Sequence, residues 1–142
     1  MIFHDPIYEH ALKDRDWAPA GGTSMNRARD LNDDLTRRFT VALREAVDAE
    51  PGMHGSWDGS LPWVWVDGDE LGGWWIGHGI SHEIEAAEDD LKTFLWADYV
   101  TDAEPPVERP RAINVTLAGP GARDETRLAR MVVEALRPYV PK

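Results

Sequence analysis

Residues 61–80 read LPWVWVDGDELGGWWIGHGI, and this stretch limits how the rest of the chain can fold. It contains four of the seven tryptophans, in two apolar runs separated by an acidic turn that contains glycine. Two strands joined by such a turn form a β-hairpin, and an isolated hairpin is only marginally stable in water. We therefore expect the remaining segments to pack against this hairpin.

The hairpin is predicted to be apolar on both faces. Successive strand residues point to opposite sides, so Val64 and Val66 share one face. Trp63 and Trp65 share the other. On the return strand, the first face carries Trp74, Ile76, His78 and Ile80, and the second carries Trp75, Gly77 and Gly79. A sheet with two apolar faces needs a cover on each. We expect helices of this chain on one face and the N-terminal arm, or another molecule, on the other.

Helical and strand periodicities outside the hairpin predict the fold class. Apolar residues recur every three or four positions in residues 26–49, 82–96 and 124–137, as in amphipathic helices. Residues 112–118 (AINVTLA) alternate, as in a half-buried strand. The order α-β-β-α-β-α predicts an α+β fold, in which a small mixed sheet contains the tryptophan-rich antiparallel hairpin and is packed by three helices.

The segments without periodicity mark the predicted domain boundary and the predicted loops. Residues 1–25 are predicted to form an apolar N-terminal arm, followed by a single α+β domain over residues 26–142. Residues 52–60 (GMHGSWDGS) are expected to form a glycine-rich loop. Residues 98–111 (DYVTDAEPPVERPR) are expected to form a long proline-rich loop.

Composition excludes several classes of function. The formal net charge of −11 repels phosphate backbones, which argues against direct nucleic-acid binding. The chain has no apolar run long enough to cross a membrane, and no cysteine for disulfides or thiolate metal sites. The first residues, MIFHDPIYEHALKDRDW, lack the apolar core of a signal peptide. We expect a cytoplasmic protein, or a virion protein if it is phage-encoded, with no cofactor.

Two sets of residues are candidates for binding a protein partner. Tryptophan is enriched where interfaces are anchored, so the first set is Trp63, Trp65 and Trp75 on one hairpin face. The second set is acidic and belongs to residues 82–104, which carry eight acids and one base. Its members are Glu85, Glu88, Asp89 and Asp90. Such a surface can attract a basic protein, although it can also serve only to keep the chain soluble.

Chemical sites are less well supported by the sequence. His78, His82 and Glu83 are residue types that bind zinc or iron, and they lie at a predicted strand-to-helix junction. Their spacing does not match the His-Glu-x-x-His motif of metalloproteases. The acidic run 67–70 lacks the other ligands of a calcium loop, so it is read as a hairpin turn.

The sequence therefore favours a non-catalytic protein–protein interaction or assembly protein, whose partner is either a second copy or a different protein. Residues 113–138 resemble the strand-then-helix segments of actinophage virion proteins, which implies a bacteriophage-type structural or accessory subunit. One alternative is an acidic inhibitor, immunity protein or antitoxin that binds a basic protein. The other is a metal-dependent enzyme at His78, His82 and Glu83.

Overall fold

The computed structural model describes residues 23–81 and 91–142. In this part of the chain, five strands form one sheet whose order is β1-β2-β3-β4-β5. The elements, in chain order, are α1 (Thr23–Asp48), β1 (Met53–Ser56), β2 (Trp63–Val66), β3 (Gly72–Ile80), β4 (Thr93–Thr101), β5 (Ile113–Leu117), α2 (Glu125–Leu136) and a 3-10 turn (Arg137–Tyr139). Every neighbouring pair of strands is antiparallel, so the sheet is a meander.

Both α1 and α2 pack on the same face of the sheet. α1 contributes an apolar stripe at four-residue spacing. α2 is capped by the preceding residue, Asp124, whose side chain accepts hydrogen bonds from the backbone N–H groups of Thr126 and Arg127. The fully buried side chains of this layer are Leu35, Phe39, Leu43 and Val47 from α1, Leu128, Val132 and Leu136 from α2, and Val64, Val66, Trp74, Ile76, Ile80 and Leu95 from the sheet. The core therefore lies between the two helices and one face of the sheet.

The hairpin at residues 61–80 is confirmed. Trp63 lies opposite Trp75, and Val64 lies opposite Trp74. Val64 and Val66 face the helices and are buried, whereas Trp63 and Trp65 lie on the other face and are partly exposed. The helices at 26–49 and 124–137 and the strand at 112–118 are also present, with ends shifted by one to three residues.

The helix predicted for residues 82–96 is wrong at its C-terminal end, because Thr93 to Trp96 belong to strand β4. Leu91, Phe94 and Leu95 have helical spacing, which concealed the two-residue alternation that continues to residue 101. The whole of β4 pairs with β3, from Thr93 opposite Ile80 to Thr101 opposite Gly72. This pairing satisfies the backbone of both strands and places apolar side chains on both faces. The other predicted residues, 82–90, lie outside the described part of the chain.

Other predicted details also differ. The described residues contain two α-helices rather than three, and the sheet is antiparallel rather than mixed. Residues 53–56, predicted as loop, form β1 at the edge of the sheet, where they pair with β2. Residues 98–101, assigned to the proline-rich loop, complete β4, so irregular chain begins at Asp102. Of the predicted N-terminal arm, residues 23–25 belong to α1, and residues 1–22 lie outside the described part.

The loop between β4 and β5 is held against the fold by Arg109. Its guanidinium carbon lies 4.7 Å from the ring centre of Tyr139, 4.8 Å from that of Tyr99 and 5.8 Å from that of Trp74. We call these three rings the aromatic box. Asp69, in the turn between β2 and β3, lies 3.8 Å from the same guanidinium and accepts a hydrogen bond from the Tyr99 hydroxyl. One arginine thus links the long loop, the hairpin turn and the C-terminal 3-10 turn.

Candidate protein-binding site

The predicted tryptophan cluster is assembled on the sheet face opposite α1 and α2. We call Trp63, Trp65 and Trp75 the tryptophan face. All three side chains are partly exposed, and the ring centres of Trp63 and Trp75 are 4.8 Å apart with a tilt of 55°. A cavity of about 300 Å³ adjoins this pair and is lined by Ser56, Gly59, Leu61, Trp63 and Trp75. Large aromatic surfaces of this kind are favoured as interface anchors because they bury much apolar area with few rotatable bonds.

Glycines in β3 allow two tryptophan rings to approach the strand backbone closely. A Cβ atom at Gly73 would fall 2.6 Å from the ring of Trp63, and one at Gly77 would fall 2.1 Å from the ring of Trp96. Trp96 is only 2% exposed, although it lies on the face opposite the helices. The space above Gly77 is therefore filled by Trp96. This contact was not predicted because helical spacing placed Trp96 in a helix; the alternation of residues 93–101 is the signal that could have revealed it.

A second concavity, which we call the acidic cleft, lies at the end of the sheet beside the β2–β3 turn. Its volume is about 650 Å³, and its lining includes Trp63, Trp65, Leu71 and the acidic residues Asp67, Asp69, Glu70 and Asp102. Asp102 is held there because its backbone N–H donates to the carbonyl of Leu71 at 2.8 Å. The sequence predicts only a turn at residues 67–70. It does not indicate that Asp102 lies beside this turn, since the two segments meet only through the pairing of β3 with β4.

The four acidic residues of the cleft differ in the partners that their side chains contact. Asp67 lies 2.6 Å from the imidazole of His54, whose ring stacks on Trp65 with centres 5.8 Å apart. Asp69 contacts Tyr99 and Arg109, as described above. Glu70 and Asp102 form no side-chain ion pair with any residue in the described ranges 23–81 and 91–142. The cleft therefore carries negative charge next to the tryptophan face.

His78, one of the residues considered for a metal site, points towards α1. Its Nε2 atom lies 2.9 Å from the Thr36 hydroxyl, and its ring centre is 5.2 Å from that of Phe39. The Thr36 hydroxyl itself donates to the carbonyl of Asn32, so Nε2 of His78 is the donor in the contact with Thr36. Its Nδ1 atom is out of solvent and has no hydrogen-bond partner in the described part of the chain. Burial lowers the pKa of His78 to about 4.

The remaining predicted site residues cannot be placed. His82 and Glu83, and the acidic set Glu85, Glu88, Asp89 and Asp90, lie outside the described residues. Within residues 23–81 and 91–142, no group of three or more histidine, aspartate or glutamate side chains is arranged to hold a metal ion. Neither α1 nor α2, the helices of this described part, is long and apolar enough to cross a membrane.

No protein-family model, no curated protein sequence and no solved structure matches this chain.

Proposed function

We propose that this protein is a non-catalytic assembly subunit that binds another protein chain through the tryptophan face. The observation that carries the proposal is that the two sheet faces differ in what covers them among the described residues. One face is covered by α1 and α2, whereas the other presents Trp63, Trp65 and Trp75 as partly exposed rings. Removing these rings from water on association would supply a large apolar contribution to binding.

The spacing of the tryptophans supports this role. Trp63 and Trp75 form a tilted pair, and the neighbouring cavity of about 300 Å³ is large enough to accept one apolar side chain of a partner. Hot spots commonly combine an aromatic anchor with such a pocket. Within the class of assembly proteins, we favour a bacteriophage-type structural or accessory subunit, because residues 113–138 resemble segments of virion proteins.

Size-exclusion chromatography with light scattering tests the assembly function. The native protein is expected to form an oligomer that survives high salt, since apolar burial is not screened by ions. The double variant Trp63→Ser/Trp75→Ser should be monomeric. The control is Val41→Ser, which removes an exposed apolar side chain on α1, 59% exposed, and should leave the oligomer intact. A native protein that is monomeric at both salt concentrations would contradict self-assembly.

The second candidate function is an acidic inhibitor, immunity protein or antitoxin. It is favoured by the acidic cleft, where Glu70 and Asp102 have no ion-pair partner among the described residues, and by the net charge of −11. A complex of this kind should weaken steeply as salt is added, because its association depends on opposite charges. The response to salt therefore separates it from the assembly function.

A further inference from the structure

We propose that the acidic cleft receives an arginine side chain from a basic segment of the partner protein. The inference rests on the proposed function and deepens it, because it names the chemistry of the partner at one site. The cleft adjoins the tryptophan face through Trp63, which lines both the cleft and the smaller cavity beside Trp75. A single partner can therefore contact both surfaces.

The shape of the cleft suits a side chain presented by a peptide. Its volume of about 650 Å³ exceeds what one guanidinium group needs, so part of the flanking backbone also fits. Trp63 and Trp65 supply aromatic surface, and Leu71, which is 58% exposed, supplies an aliphatic one. The methylene stem of an arginine packs well on such surfaces while its charged end remains near the polar rim.

The charge of the cleft selects a cation. Four carboxylates contribute to its lining, and no lysine or arginine does. Asp69 already has Arg109 near it, and the side chain of Asp67 lies 2.6 Å from the imidazole of His54. Glu70 and Asp102 have no counter-ion in the described part of the chain, and so they are the two groups a ligand would neutralise. A cation close to both carboxylates and to tryptophan rings gains from ion pairing and from the ring quadrupoles together.

Arginine fits this combination better than lysine. A guanidinium is planar, stacks on aromatic rings and forms paired hydrogen bonds with carboxylates, whereas an ammonium is compact and strongly hydrated. The protein already stabilises a guanidinium in this manner, since Arg109 lies over three rings and beside Asp69 at 3.8 Å. Asp69 also lines the acidic cleft. The proposed guest would therefore occupy a second environment of the same kind, next to the first.

The test uses a short synthetic peptide, Gly-Arg-Gly-Arg-Gly, with the corresponding lysine peptide and tetramethylammonium as comparison ligands. Binding is measured by calorimetry, and contact with the rings by the indole N–H resonances of Trp63 and Trp65 in NMR spectra. We expect the arginine peptide to bind, to shift both resonances and to bind at least about tenfold more weakly to Glu70→Gln/Asp102→Asn. Trp65→Leu should weaken binding while retaining the charge of the cleft.

The matched control is Asp33→Asn/Glu134→Gln, which removes one aspartate and one glutamate from exposed positions on α1 and α2. It changes net charge by the same amount and should alter affinity by less than about twofold. Equal losses in the two double variants would overturn the proposal, because binding would then reflect net charge only. Absence of binding, or equal binding of the lysine peptide or tetramethylammonium, would also overturn it.

Different results would reject the cleft inference and the proposed function. Glu70→Gln/Asp102→Asn leaves Trp63 and Trp75 in place but removes the charge that the partner's arginine would contact, so it should still self-associate, at a higher protein concentration than the native protein. Intact self-association without arginine binding would reject the cleft inference and retain the assembly function. Loss of self-association in the native protein would reject the assembly function whatever the peptide does.

Discussion

His78 couples protonation to folding, because a proton on its Nδ1 atom would be buried without an acceptor among the described residues. The unfolded chain takes up this proton near the ordinary histidine pKa of 6.5, whereas burial lowers the folded-state pKa to about 4. Stability should therefore be unaffected above about pH 7, fall as the pH drops from 6.5 towards 4, and change no further through this group below that.

A comparison of the native protein with His78→Leu measures this effect. Between pH 7 and pH 5, the native free energy of unfolding should fall by about 1–2 kcal/mol more than that of the variant. Chemical denaturation at a series of pH values provides the measurement. Identical slopes for the two proteins would contradict the lowered pKa, because His78 would then take up its proton equally in the folded and unfolded states.

Arg109 is the second side chain with a strong individual effect. Arg109→Ala removes the cation from the aromatic box and leaves Asp69 without its ion pair. We expect a loss of about 1–2 kcal/mol and faster hydrogen exchange in residues 102–112. Arg44→Ala, a substitution of an exposed arginine on α1, should change neither quantity. If hydrogen exchange in residues 102–112 were equally fast in the two variants, Arg109 would not anchor the loop.

The sequence could not reveal this role of Arg109. Its rings come from β3, β4 and the C-terminal turn, and the box exists only after the sheet and α2 have come together. His78 posed the opposite difficulty: its residue type suggested a metal ligand, but its packing partner on α1 depends on the position of the helix over the sheet. In both cases the sequence gives the residue type but not the side chains that it contacts in the folded protein.

At the scale of elements, the pairing of β3 with β4 depends on Gly77. Gly77→Ala would place a Cβ atom 2.1 Å from the ring of Trp96, which must then move or lift the strand. Because Trp96 is enclosed, we expect a loss of about 1–3 kcal/mol, with a change in near-ultraviolet circular dichroism from the tryptophans. At Gly59 a Cβ would meet only the carbonyl of Leu61, at 3.5 Å. Gly59→Ala should therefore be nearly neutral, and equal effects of the two substitutions would contradict this packing.

Strands β3 and β4 show which elements can be predicted from the sequence and which cannot. The hairpin was predicted with its correct faces because its apolar residues alternate on both sides of a recognisable turn. Residues 93–101 alternate as well, but Leu91, Phe94 and Leu95 also fit a helix, and local pattern could not decide between them. Pairing with β3 decides it, and such long-range pairing is not visible in a single sequence. β1 was missed for a similar reason, since its short glycine-containing segment gains its backbone partners only from β2.

At the scale of the whole molecule, both α-helices of the described residues, 23–81 and 91–142, lie on the same side of the sheet. α1 and α2 cover one face of the sheet, and the tryptophan face and the acidic cleft lie away from that layer. An α+β fold could be predicted from the alternation of helical and strand patterns, whereas the antiparallel order of five strands could not. The acidic cleft could not be predicted either, because its acidic residues come from the β2–β3 turn and from Asp102, which follows β4 about thirty residues later.

The central claim is that the tryptophan face is an interface between protein chains. Hydroxyl-radical footprinting at two protein concentrations, one on each side of the association transition, tests it most directly. We expect oxidation of Trp63 and Trp75 to fall as the protein associates, while Trp57, which packs against the helix-side core, keeps the same reactivity. Association that leaves Trp63 and Trp75 as reactive as in the dilute protein, or no association at any concentration, would contradict the claim.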